Sequence, residues 1–367
     1  MLRRNFILIT YLLLLGFGVN KAHTQTNGSL RKIAHSLGQG VNISLLEQHW
    51  NSPSQLLKTN ILPILKSIAE TGFETVRLPV AFDHFMKEGS IQLNEEIIEK
   101  LHETYLSANE LNLKLVIVYH YGKLTNENYT AETERIIKIW KQVIEDIRHF
   151  STENLFLELY NEPTTDMDIW KSTATTLVRE LRKEDPERIF IIGGANYNGI
   201  NELLNMGKLS TDDGKIFYTF HFYEPYIFTH QGADWTLEKT YMVGLPYPYK
   251  KRKMPKLKGV APDSLVKKEL ERFPREANFS YLYNRIKKIK GEADKLKIPL
   301  ICTETGVINL AADKAKSKYL RDITDIMNSF DIPVMLWDYN DKFTILKNDT
   351  NKQYGNSFAI RRGEQSI

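Results

Sequence analysis

Short aliphatic and β-branched runs recur along the chain, and between them apolar residues return every three or four positions. The runs predict strands at Gly38–Ile43, Thr75–Pro79, Leu115–His120, Leu155–Tyr160, Ile189–Gly193, Ile216–His221, Leu300–Thr303 and Val334–Trp337. The intervening stretches read as amphipathic helices, for example Ile97–Tyr105 and Ile136–Ile144, where apolar residues fall at i, i+3, i+4 and i+7. Trp140 belongs to that second apolar face and reads as core. Strands alternating with helices at spacings of roughly 30–40 residues specify a (β/α)₈ TIM barrel, an α/β fold, rather than an antiparallel sandwich. One interval is about twice as long as its neighbours. It runs from His221 to Leu300 and predicts an enlarged loop, Tyr223 to Phe279, after the sixth strand. No repeat, low-complexity linker or second module interrupts the pattern, so the expectation is a single domain.

Composition narrows this reading without changing it. A chain of 367 residues with 42% hydrophobic and 26% charged residues is an ordinary globular protein. The net charge of +4 is too small at this length to argue for nucleic acid as a partner. Arg3-Arg4 followed by the apolar run Phe6 to Val19 and then small or polar residues has the layout of a secretory signal. Residues 1–24 are therefore expected to be a signal peptide and 25–367 the catalytic domain, exported to the periplasm or beyond. An uncleaved anchor is the alternative. No integral membrane association is expected once the signal is removed. The one cysteine, Cys302, excludes an intramolecular disulfide. Strand alternation puts it on the same side as Glu304, where it is either a reactive thiol or a packing residue, and the general burial of free cysteine favours the second.

The predicted strand ends carry the chemistry. Asn161-Glu162-Pro163 closes the fourth strand and Thr303-Glu304-Thr305-Gly306 the seventh. Each sets a glutamate where a buried strand opens into a loop, and two carboxylates so placed can hydrolyse a glycosidic bond. Arg77, His120, His221, Tyr223 and Trp337 end other strands, and in a parallel barrel all of these ends meet in one cleft. There is no metal-ligand pair such as His-x-x-x-His, no phosphate-cradling glycine loop and no nucleophile elbow, so neither metal nor organic cofactor is expected.

In this order, Arg77, Asn161-Glu162-Pro163, His221-Phe222-Tyr223, Glu304-Thr305-Gly306 and Trp337 resemble glycoside hydrolase family 5, the cellulase-type retaining hydrolases. The segment Tyr223–Trp235 is similar to bacterial members, and the resemblance extends from Gly40-Val41-Asn42 to Trp337-Asp338-Tyr339. It implies Glu162 as general acid/base, Glu304 as nucleophile, Asn161 on the sugar 2-hydroxyl, His120 and His221 as orienting groups, and Trp337 as a platform beneath the sugar. Arg77 and Tyr223 are expected to favour ionised Glu304 and the carboxylate pair to keep Glu162 protonated. The implied activity is retaining hydrolysis of β-1,4-glucan by a monomer whose partner is a poly- or oligosaccharide. A β-1,4-mannanase or other β-glycanase, a transglycosylase, and a non-catalytic carbohydrate-binding protein of the cell envelope are the alternatives. Thr305 stands where many members have an aromatic residue, Tyr119-His120-Tyr121 replaces a His-His pair, and Asn340-Asp341-Lys342 replaces a glycine-bearing turn.

Four further residues and one stretch attract attention. Glu158 should point inward four residues before Glu162, with Arg77 as the partner a buried carboxylate requires. Trp50 and Trp235 are candidates for distal sugar sites, and His230 for a brace of the long loop. The basic stretch Lys250-Lys251-Arg252-Lys253 suits either an anionic glycan or a solvated loop.

Overall fold

The structure, a computed structural model, describes residues 30, 32–236, 243–256 and 265–346. The expected signal segment lies outside them. Eight parallel strands close into a barrel in sequence order: β1 (Gln39–Asn42), β2 (Thr75–Val80), β3 (Lys114–Tyr119), β4 (Leu155–Glu158), β5 (Phe190–Gly193), β6 (Ile216–His221), β7 (Leu300–Thr305) and β8 (Val334–Leu336). Closure is by pairing of β8 with β1, Leu336 lying opposite Val41. The helices of six residues or more between them are α1 (Pro53–Lys58), α2 (Leu62–Glu70), α3 (Glu95–Glu110), α4 (Tyr129–Ile147), α5 (Met167–Leu181), α6 (Ile200–Met206), α7 (Leu265–Glu276), α8 (Phe279–Lys295) and α9 (Asp313–Ser329). Among the described residues, no helix is long and apolar enough to cross a membrane.

Side-chain alternation makes two apolar layers. Val116, Phe156, Ile191, Phe217, Ile301 and Met335, one from each of six strands, pack together inside the barrel. Their neighbours Leu115, Leu157, Ile192, Tyr218 and Leu336 join Trp140, Trp170 and Ile323 of the helices in the outer layer. The helical stripe that the sequence predicts is the buried face of α4, where Ile136, Ile139, Trp140, Val143 and Ile147 point inward. Asn94 caps α3 by accepting a 3.0 Å hydrogen bond from the Ile97 amide.

Three local departures from the predicted pattern have physical causes. First, β4 ends at Glu158 instead of Tyr160. Leu159 and Tyr160 both join the outer layer, so the chain leaves strict alternation before Asn161 and Glu162. Second, the interval after β6 holds a helix, α7, where the sequence suggests continuous loop; Lys251–Lys253 form an exposed turn before it.

Third, Cys302 and Glu304 do not share a side. The β7 register slips against both β6 and β8 near Thr303, and an extra residue in a strand breaks the two-residue period. Cys302 turns outward into the strand–helix layer. Thr303 turns inward to hydrogen-bond Thr219 at 2.7 Å, and Glu304 reaches the barrel mouth. The Cys302 thiol is fully buried, bonded to the Glu304 carbonyl at 3.3 Å, and pushed up by burial. Cys302 is therefore a packing residue. A thiol reagent such as dithionitrobenzoate should leave it unmodified in the native protein and titrate one thiol after unfolding; rapid native labelling would contradict this.

Candidate active site

Arg77 organises the mouth of the barrel. It comes from the middle of β2, has no solvent exposure, and carries five N–H donors in a rigid fork. Each donor has an acceptor. Nε and one Nη2 hydrogen bond the two oxygens of Glu158 at 2.7 and 2.8 Å. The second Nη2 hydrogen goes to Asn161 Oδ1 at 2.8 Å. Nη1 serves Asn42 Oδ1 at 2.9 Å and Glu304 Oε1 at 2.6 Å. Burial alone would favour loss of the guanidinium charge, but Glu158 and Glu304 outweigh it and hold the group ionised. The expected Glu158–Arg77 pairing is thus present as a bidentate contact.

Glu304 has both oxygens engaged: Oε1 by Arg77, and Oε2 by the Tyr223 hydroxyl at 3.0 Å. His221 Nδ1 lies 3.4 Å from Oε2 and 2.7 Å from Oε1 of Glu162. Glu162, His221 and Glu304 each bring an oxygen or ring nitrogen within 4.8 Å of the others. Exposure separates the carboxylates: the Glu162 side chain is 32% exposed and that of Glu304 only 6%. Glu162 also has a left-handed backbone, φ 48°, and such strain in a non-glycine residue is typical of groups whose orientation matters.

The neighbours set the charge states. Burial pushes the Glu304 carboxyl above its ordinary range, and the charges of His221 and Arg77 pull it back without cancelling the rise. Burial likewise works to lower His221, but Glu304 and Glu162 outweigh it and hold the ring above its ordinary value. His120 is driven well below its usual range by burial and by the Arg77 charge. It is therefore neutral, and its Nε2 sits 3.4 Å from the Asn161 amide nitrogen. Its ring lies nearly parallel to Trp337, at 15° and 5.8 Å between centroids.

All eight residues singled out in the sequence meet at this mouth: Arg77, His120, Asn161, Glu162, His221, Tyr223, Glu304 and Trp337. Gly306 is required because the Trp337 carbonyl oxygen lies 2.0 Å from where its Cβ would stand. Of the flanking aromatics, Trp50 and Trp235 are more than half exposed, at 58% and 52%. Trp50 and Tyr121 both contact His49, and Lys342 lies over Trp235 at 4.5 Å. His230 packs between Tyr223 and Tyr226.

Sequence reasoning missed four groups. Asn42 accepts from Arg77 while donating to the Thr303 and Leu336 carbonyls. Asn198 reaches His221 Nε2 at 3.0 Å. Tyr121 has its hydroxyl raised by burial and by the charges of Glu47, Glu304 and Glu162. Glu47 is buried beside Ser44 and pushed up to about 7 by burial. Asn42 had a signal, since an asparagine ending an apolar strand must find partners; the other three lie in loops.

Among the described residues, Glu162, His221 and Glu304 are the group spaced to hold a metal ion. The guanidinium 2.6 Å from Glu304 already supplies the compensating positive charge, so the donor set does not fit a cation.

A sequence model of cellulase, glycosyl hydrolase family 5, matches residues 35–343. The chain belongs to glycosyl hydrolase family 5. Similar proteins include Endoglucanase 3 of Fibrobacter succinogenes, 26% identical over 352 residues, which covers 89% of this chain and 53% of that protein. The chain thus spans about half the length of that relative. Endoglucanase C of Acetivibrio thermocellus is 27% identical over 288 residues, covering 75% of this chain and 82% of the other. Among solved structures, the endoglucanase Cel5A of Thermotoga maritima superposes with a TM-score of 0.73 at 20% identity, covering 90% of this chain and 99% of that one. A hyperthermophilic endo-β-1,4-glucanase in complex with substrate gives 0.72 at 22% identity. Both show the same barrel fold.

Two predictions follow from the contacts around Glu304. Tyr223→Phe removes a hydrogen bond to a charged group, worth about 1.5–3 kcal/mol, and should lower kcat about 10- to 100-fold. Steady-state kinetics with a melting curve on the same sample checks this, and an unchanged kcat would refute it. The acid limb of kcat/KM should lie above the ordinary carboxylate value of 4.5. The sign follows if Glu304 acts as an ionised carboxylate, because a raised pKa loses that form sooner as pH falls.

Proposed function

We propose that this chain is an exported, monomeric, retaining β-glycanase that cleaves β-1,4-glucan, with Glu162 as acid/base and Glu304 as nucleophile. The observation that carries the reading is the approach of the two carboxylates to within 4.8 Å around His221. Retaining enzymes hold their carboxyls about 5–5.5 Å apart, whereas inverting enzymes leave about 6.5–9.5 Å for a water molecule.

The roles follow from exposure and bonding. Glu304, held by Arg77 and Tyr223, attacks the anomeric carbon as the bond from that carbon to the leaving oxygen breaks. Glu162, open to the cleft, passes its proton to that oxygen. In the second step Glu162 takes a proton from water, the water oxygen bonds to the same carbon, and Glu304 leaves. Asn161 has its oxygen committed to Arg77, so its amide N–H faces the sugar 2-hydroxyl, where a hydrogen bond strengthens in the transition state. Trp337, steadied by His120, gives a flat apolar surface for the sugar ring. The endoglucanases among the relatives support β-glucan as the polymer, and the exposed Trp50 and Trp235 suit a chain extending beyond the cleaved unit.

The test is reducing-sugar release from cellulosic glucan, mixed-linkage glucan, xyloglucan and galactomannan, with the anomer of the first product followed by proton NMR. Cleavage of a β-1,4-glucan with a β product is expected. Inversion would overturn the mechanism, exclusive cleavage of mannan would replace the substrate, and inertness towards all four would favour a binding protein.

A further inference from the structure

We infer that Asn198 is a positioning residue for acid/base catalysis: through His221 it dictates which oxygen of Glu162 carries the transferable proton. The inference rests on the assignment of Glu162 as acid/base.

The geometry around Asn198 is costly to build. Asn196, Tyr197 and Asn198 are consecutive left-handed residues, with φ 52°, 61° and 53°. Asparagine tolerates that region far better than tyrosine, so the surroundings must impose it on Tyr197. Two of those constraints are visible. The Tyr197 amide donates to the Pro163 carbonyl at 3.3 Å, tying the turn to the Asn161-Glu162-Pro163 corner. Gly193, at the end of β5, leaves the space the side chain needs: a Cβ there would lie 2.0 Å from Asn198 Oδ1. The outcome is a fully buried amide whose nitrogen sits 3.0 Å from His221 Nε2.

Chemistry then fixes the other end of the ring. In the neutral ring Nε2 accepts the Asn198 amide N–H, which leaves the one ring hydrogen on Nδ1, and in the imidazolium the amide, turned over, accepts from Nε2. The alternative neutral tautomer would set a bare Nδ1 against the Glu162 and Glu304 oxygens at 2.7 and 3.4 Å. With Nε2 satisfied and the ring clamped, Nδ1 carries its hydrogen and points it at Glu162 Oε1, 2.7 Å away. An oxygen already accepting an N–H is the poorer site for the carboxyl proton. The proton therefore sits on Oε2, the oxygen left to face the glycosidic linkage. A ring free to tautomerise would instead take the proton from Oε1 onto Nδ1 and hold it out of reach of the leaving group. Burial and the Arg77 charge oppose the protonated forms of the ring, and the carboxylates Glu304 and Glu162 that face it outweigh them.

Leaving-group dependence tests this, because substrates with acidic leaving groups need no proton donor. Asn198→Leu, close in volume to the native residue, should lower kcat/KM on a cello-oligosaccharide about 10- to 100-fold. On a dinitrophenyl β-cellobioside the loss should stay under about threefold, since that part of general acid catalysis is dispensable there. Gly193→Ala should reproduce the signature, because its Cβ displaces the Asn198 amide while Asn198 itself is unchanged in sequence. Equal losses on both substrates would mean a merely structural role and overturn the inference, as would no loss on either. Histidine ¹⁵N NMR of the wild-type protein, with His221→Gln for assignment, gives a readout independent of activity. A protonated Nδ1 is expected and a bare Nδ1 refutes the inference. If wild type cleaves neither substrate, the functional proposal fails and the spectrum alone decides this one.

Discussion

Replacing Glu304 by glutamine is expected to lower kcat by at least about 10⁴-fold while leaving the barrel folded, because the proposed nucleophile is removed and little else changes. The amide is nearly isosteric with the carboxylate. Its oxygen can still accept from Arg77 Nη1, and its nitrogen can donate to the Tyr223 hydroxyl oxygen, so both contacts of the native side chain keep a partner. A melting curve close to wild type beside a dead enzyme is the expected pair of results. The sharper version uses Glu304→Ala and azide. A small anion in the vacated space attacks from the nucleophile's face and displaces the leaving group directly, giving an α-glycosyl azide. Glu162→Ala should give the β-azide, because there the azide meets a covalent intermediate from the other side. Exchanged products would exchange the two roles.

Arg77→Met should be the most damaging single substitution for stability. It removes the one partner that holds both oxygens of Glu158, a carboxylate with no solvent exposure. Breaking a buried pair by deleting one member costs about 3–5 kcal/mol, more than the pair itself contributes, because the remaining charge is stranded in a medium that solvates it poorly. Urea unfolding measures the loss. The double variant Arg77→Met/Glu158→Gln should recover much of the stability, since the stranded charge is gone, but none of the activity. Whatever activity remains should show an acid limb moved to higher pH, because Arg77 is one of the charges that pull Glu304 down. Full stability in the single variant would show that Glu158 finds other partners.

The fold was legible because barrel strands and helices each obey a short local period, and the apolar positions kept to it in most units. Most of the site residues were legible for a related reason: a polar group at or just past the end of a buried apolar strand stands out against its own neighbours, although Arg77 lies in the middle of β2 and not at its end as expected. What escaped is what breaks the period or lies outside it. Cys302 was set on the wrong side because an irregularity in β7 is a property of pairing with β6 and β8, which no local pattern encodes. The end of β4 moved for a similar reason. Asn198 sits in a left-handed turn whose geometry depends on a distant carbonyl at Pro163, and the only hint was the pair Gly193-Gly194 before it. The helix α7 lay hidden in a stretch rich in Lys and Glu, where α7 buries only Val266 and Phe273.

The five acceptors around Arg77 come from positions 42, 158, 161 and 304, so the hub cannot exist in any fragment of the chain that lacks β7. During synthesis, however, Arg77 and Glu158 emerge in the first half, more than a hundred residues before Glu304. Four of the five acceptors, both oxygens of Glu158 among them, are therefore encoded before β5, and the second half of the barrel adds only Glu304.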